Sequence, residues 1–140
     1  MNDIQQKAIH YKRKVAGSFM AITQEDISFK ISGDKVYITT KIDGEFNLLH
    51  FDGKQSMLVN GSGKIKDDLP LLKSATKSLK DQKIKSLSVA CELHLSTQDH
   101  RSRVFEVMSA ISKKKDSLTV SPFDIVALDG EDYAENDYQN

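Results

Sequence analysis

The sequence predicts an α+β domain with a mostly antiparallel sheet flanked by helices. Three observations lead there. Leu87 to Leu95 alternates apolar and polar residues, the period of a strand with one buried face. Leu69–Leu79 and Arg103–Ser112 place apolar residues at three- and four-residue spacing, the period of a helix. Strands and helices do not follow one another in regular βαβ units, which argues against a parallel sheet.

In chain order, Ile4 to Val15 is rich in Gln, Lys and Ala without Gly or Pro and reads as a short surface helix ended by Gly17-Ser18. Val36-Tyr37-Ile38-Thr39-Thr40 is β-branched and aromatic and reads as a strand. Glu45–Phe51 and Gln55–Val59 read as two more, joined through Asp52-Gly53, because glycine tolerates the positive φ of a tight hairpin turn. Asn60-Gly61-Ser62-Gly63 is a loop. The next helix, with Leu69, Leu72, Ala75, Thr76 and Leu79 on its apolar side, has Pro70 in its first turn, where a missing N–H costs nothing. After the Leu87–Leu95 strand comes a helix with the stripe Val104, Val107, Met108 and Ile111. Leu118–Leu128 is the last strand. Residues 1–130 are thus expected to form one domain, and the polar, acidic 131–140 a frayed tail.

Composition sets outer limits. A chain of 140 residues with 39% hydrophobic and 29% charged residues is ordinary for a globular domain with its own core. Zero formal net charge gives no global attraction to nucleic acid or anionic membrane, so any nucleic-acid surface must be a local patch. Cys91 is the single cysteine, which excludes a disulfide framework or a cysteine zinc site and fits a reducing, cytoplasmic setting. The Met1–Lys14 stretch lacks the apolar region of a signal peptide, and no run approaches the length of a membrane span.

The segment with chemical content is Lys41-Ile42-Asp43-Gly44. Alone, such a tetrapeptide is a weak signal, since a solvated lysine beside an Asp-Gly turn is common. Two later segments sharpen it. Ala90-Cys91-Glu92-Leu93-His94-Leu95 sets a carboxylate in an apolar strand, and Ser121-Pro122-Phe123-Asp124-Ile125-Val126-Ala127-Leu128-Asp129-Gly130 follows it. In this order the three resemble the adenylation domain of the covalent nucleotidyltransferases, an ATP-grasp-like ligase fold, with ATP-dependent DNA ligases the nearest match. RNA ligases and mRNA capping enzymes resemble it more distantly. The resemblance runs from about Thr39 to Gly130.

The resemblance implies an ATP-dependent polynucleotide ligase using ATP and Mg²⁺. Lys41 would attack the ATP α-phosphate and become lysyl-AMP. AMP would then pass to the 5′-phosphate of a nicked DNA strand, or of RNA, for sealing. An attacking amine must be neutral, and a partly desolvated site beside other cations favours that state. Glu92 resembles the glutamate that contacts the ribose or the Mg²⁺ ion, and Phe123 the aromatic residue that stacks on adenine. Asp43 and Gly44 belong to the lysine box. Thr39 stands where a glutamate often reads the adenine amine, Lys64 near the position of a phosphate-binding arginine loop, and Phe46 where an arginine is frequent.

The family's Asp-Gly-x-x-x-Lys and Lys-x-Lys boxes and its OB-fold domain do not occur before Asn140, so the resemblance implies a partial adenylation domain that is inactive alone and needs those boxes to act on nicked DNA or RNA. A sheet left uncovered in this way would favour self-association. The alternative is a non-catalytic nucleotide or nucleic-acid binding module on the same fold, or an RNA ligase. Two cationic patches, His100 with Arg101 and Arg103, and Lys113-Lys114-Lys115, are further candidates for phosphate backbone.

Overall fold

The computed structural model describes residues 1–33, 35–96, 103–114 and 116–134. Helix α1 (Asp3–Lys14) is followed by a one-turn helix α2 (Ile27–Lys30). Then come strands β1 (Glu45–Phe51), β2 (Ser56–Asn60) and β3 (Ile65–Lys66), helix α3 (Pro70–Asp81), strand β4 (Leu87–Leu95), helix α4 (Val104–Ser112), and strands β5 (Leu118–Leu128) and β6 (Glu131–Asp132). The strands form one sheet in the order β3-β2-β1-β4-β5-β6, and every neighbouring pair is antiparallel. The protein is therefore α+β, as its sequence predicts.

The local chemistry explains the elements. Asn2 caps α1 by accepting from the Gln5 N–H at 3.0 Å, while the Gln5 side chain accepts from the Asn2 N–H at 2.8 Å. Between β1 and β2, Asp52 Oδ1 accepts from the N–H groups of Lys54 and Gln55, both at 2.8 Å, and Gly53 takes the positive φ of 89° that the turn requires. Pro70 occupies the first turn of α3.

The sheet is covered on both faces. One face presents Leu49, Leu58, Val89, Cys91, Leu93 and Leu118 to Leu72 of α3 and to Val107 and Ala110 of α4. The other presents Phe46, Leu48, Val59, Ala90 and Val126 to Ala8 and Tyr11 of α1. The first helix is thus no surface appendage: its buried pair Ala8 and Tyr11 closes half of the core.

Three expectations are corrected. Val36–Thr40 is not a strand, and Val36, Tyr37 and Ile38 are 51%, 59% and 90% exposed. β-Propensity describes a fit to a half-buried pleated surface, and no neighbouring strand supplies that surface here. The buried side of α4 is Val107 and Ala110, leaving Val104 and Met108 exposed together with Phe105. Finally, Glu131 and Asp132 belong to the sheet, pairing as β6 with Leu128 and Ala127. Tyr133 follows with its N–H donating to the Val126 carbonyl at 2.8 Å, Ala134 packs against the core, and residues 135–140 lie outside the described residues. Among those described, no helix is long and apolar enough to cross a membrane.

Candidate functional site

The three segments singled out in the sequence are neighbours in the sheet. β1 begins directly after Gly44, and its Phe46 pairs with Glu92 of β4, which in turn pairs with Ser121 of β5. Gly44 is what allows the box to approach so closely. A Cβ there would overlap the Leu93 carbonyl oxygen and come within 3.2 Å of His94 Cβ. The close approach this glycine permits is backbone on backbone, between the box and β4.

β5 is irregular where it passes the site. Ala90 pairs with Asp124 and Cys91 with Pro122, so Phe123 is an extra residue on β5, a β-bulge. Bulges re-aim side chains and often accompany functional sites. Pro122, which cannot donate to a ladder, was the available signal for this irregularity.

A cavity of about 1130 Å³ opens on this part of the molecule. Thr39, Lys41, Glu92 and Phe123 all line it, joined by Ser121 and Asp124 and by the Phe19–Ala21 segment. The cavity thus brings together four of the seven candidate residues. Asp43 and Gly44 are in the adjoining box without lining it. Lys64 is elsewhere, exposed in the β2–β3 turn, where its N–H donates to Asn60 Oδ1 at 2.9 Å.

The environments of these residues differ. Lys41 does not sit at a strand end: it lies in irregular chain before β1, its side chain 85% exposed and ion-paired with Asp43. The desolvation anticipated around its amine is not found. Glu92 is half-buried, and its Oε2 is buried without a hydrogen-bond partner. Burial pushes the Glu92 carboxyl above the usual glutamate range. The Lys12 and Lys41 ammonium groups act the other way, and the Asp43 and Glu45 carboxylates add to the rise. A buried acceptor left unpaired is costly, and the cost falls on the ionised carboxylate. Among the described residues no three His, Cys, Asp or Glu side chains converge into a metal-holding group. Glu92 alone suits Mg²⁺ only in the manner in which that ion binds phosphates beside one or two carboxylates.

Several contacts at the site escaped sequence reading. Position 46 carries no guanidinium. Instead the Phe46 ring stacks on Tyr11, with centroids 5.8 Å apart and planes 4° apart, and Lys12 Nζ lies 5.1 Å above it. The Tyr11 hydroxyl donates to Asp124 Oδ2 at 2.5 Å. His94 Nε2 contacts the Oγ of Ser121, a cavity-lining residue, at 2.8 Å. Behind the box, buried Lys66 bonds Glu45 Oε2 at 2.7 Å and Asn47 Oδ1 at 2.9 Å. Asn47, polar in the middle of an apolar strand and wholly buried, was the sequence signal for this network. Cys91 is no nucleophile: burial pushes its thiol up to about 12. Of the cationic patches, His100, Arg101 and Lys115 lie outside the described residues. Arg103 starts α4, its N–H bonded to Glu106 Oε2 at 2.7 Å.

No protein-family model and no curated protein matches the chain. Among solved structures it is similar to the ligase domain of LigD from M. tuberculosis, at 20% identity with a TM-score of 0.49. The match covers 66% of this chain and 29% of that one, so the chain spans less than a third of that structure.

Proposed function

We propose that this chain carries the nucleotide-accepting half of an ATP-dependent polynucleotide ligase. The observation that carries the reading is the shared cavity: Lys41, Glu92 and Phe123, drawn from three separate stretches of sequence, line one concavity. Glu92 lines that concavity as a half-buried carboxyl. An adenine ring against Phe123 and a ribose hydroxyl donating to Glu92 would use both features, leaving the phosphates toward Lys41. The Lys41 nitrogen, after losing a proton to solvent, forms a bond to the α-phosphorus as the bond to pyrophosphate breaks, giving lysyl-AMP. Mg²⁺ would neutralise phosphate charge and favour pyrophosphate as leaving group. The acceptor of AMP on this reading is the 5′-phosphate of nicked DNA, with RNA as the alternative.

One observation favours a second reading, a module that binds the nucleotide without accepting AMP: the exposed Lys41 side chain is engaged by Asp43. Intact-mass analysis after incubation with ATP and MgCl₂, alongside equilibrium binding of ATP, separates the two. Addition of one AMP that disappears in Lys41→Ala supports transfer. Binding without an adduct supports the second reading, and absence of both overturns the proposal.

A further inference from the structure

Helix α1 reaches the cavity wall through one side chain. Tyr11, 1% exposed, lies flat against Phe46, and its hydroxyl spans from the helix to Asp124 on β5. Asp124 lines the cavity and immediately follows Phe123, the bulge residue. The ladder is interrupted at this point, with Asp124 paired to Ala90 and the Phe123 ring packed partly buried against the cluster around Tyr11 and Phe46. Pro122 has no N–H to donate, Phe123 has no opposite residue on β4, and β6 pairs only with Ala127 and Leu128. A bulged residue takes its direction from whatever fixes the bulge. Here a buried side chain on another element bonds the next residue along.

We infer that Tyr11 is a positioning residue: by holding Asp124, its hydroxyl fixes the β5 bulge and so sets the direction of the Phe123 ring into the cavity. The inference rests on the proposed function only in assigning the ring a purine base as its ligand. Without the hydroxyl, the Asp124 carboxylate turns to water, the bulge loses its anchor on α1, and the ring samples several orientations. Base stacking then weakens although no residue touching the base has changed.

The test has a ligand-free arm and a ligand arm, each comparing wild type with Tyr11→Phe and Asp124→Ala. The second variant removes the acceptor while leaving the Tyr11 ring on Phe46. In the first arm, 4-fluorophenylalanine at position 123 is read by ¹⁹F NMR without nucleotide. Both variants are expected to shift and broaden the resonance while the protein still melts cooperatively. An unchanged resonance in either overturns the inference, and a change in Tyr11→Phe alone assigns the effect to the Phe46 stack instead. In the second arm, 1,N⁶-ethenoadenosine triphosphate is the probe. Its affinity is expected to fall about fivefold in Tyr11→Phe, the scale of one net hydrogen bond. Wild-type protein that fails to bind the probe defeats the nucleotide reading, and the ¹⁹F arm still decides the role of Tyr11.

Discussion

Glu92 stands directly across from Phe46 in the antiparallel pairing of β1 and β4. The pair sets a carboxylate beside an aromatic ring whose outer face carries the Lys12 ammonium. A charge so placed loses hydration without gaining a hydrogen-bonded partner for its Oε2. Such an arrangement is poor for folding, and positions of this kind are commonly kept for what they bind.

Glu92→Gln is therefore expected to stabilise the fold near neutral pH while weakening ATP binding. The sign follows from linkage. Burial raises the folded-state pKa above the ordinary 4.5, so the folded form takes up a proton more readily than the unfolded chain. The favourable contribution is full below 4.5 and is lost as pH rises through the folded-state value. The gain from Glu92→Gln should thus be largest at neutral pH and shrink toward pH 4. Urea melts at a series of pH values measure it, and a neutral or destabilising effect at pH 7 would contradict the reading.

Two glycines near the site are expected to respond differently to the same added methyl group. In Gly44→Ala the Cβ meets the backbone of β4 at Leu93, which cannot move without disturbing the ladder, so a cost of roughly 1–3 kcal/mol is expected. In Gly61→Ala the nearest atoms are Lys12 Cγ at 2.8 Å and Cβ at 3.3 Å, on a flexible and exposed side chain. Lys12 can swing away from Phe46, forfeiting a cation–π contact worth about 0.5–1 kcal/mol at an exposed site. Denaturant midpoints of the two variants should rank Gly44→Ala as the more damaging.

The contrast between β1 and the Val36–Thr40 run shows where the sequence was legible. Glu45–Phe51, Leu87–Leu95 and Leu118–Leu128 were readable to the residue, because each is long and bounded by turn chemistry. Val36–Thr40 has better strand composition than any of them and forms none, since pairing depends on a neighbour that composition does not encode. The cavity partners of Lys41 could be anticipated from motif order. The contributions of α1 could not: Tyr11 reaches Asp124 across 113 positions of sequence, and nothing local in Tyr-Lys-Arg-Lys distinguishes a buried ring from a solvated one.

The network behind the box yields a prediction about pairing. Lys66 and Glu45 have side chains only 7% and 15% exposed, with Asn47 bonding both. Burial acts to raise the Glu45 carboxyl, but hydrogen bonds from Lys66 and Asn47, with the Lys66 charge, outweigh it and the net shift is downward. Its stabilising contribution is present above the ordinary 4.5 and is lost as pH falls through the lowered folded-state value. Lys66→Met strands a buried carboxylate and is expected to cost about 3–5 kcal/mol at neutral pH. The double variant Lys66→Met with Glu45→Gln should recover most of that loss. A double-variant cycle in urea measures the coupling, and simple additivity of the two changes would show that the pair contributes nothing as a pair.

Lys41 offers the cleanest separation of folding from chemistry. Its side chain is 85% exposed, it lies in irregular chain, and its ionic partner Asp43 is two residues away. Exposed ion pairs contribute little, and surface substitutions usually stay within about 0.5 kcal/mol. Lys41→Ala is therefore expected to melt with wild-type protein while forming no AMP adduct. Lys41→Arg should also fold normally and stay unlabelled, because a guanidinium does not deprotonate to a nucleophile. Asp43→Asn tests the contact in the opposite sense: it removes the ion pair that engages the ammonium, so faster labelling by ATP is expected. Time courses of intact mass for the three variants decide the matter. Equal labelling of wild type and Lys41→Arg would place the acceptor nitrogen elsewhere in the chain.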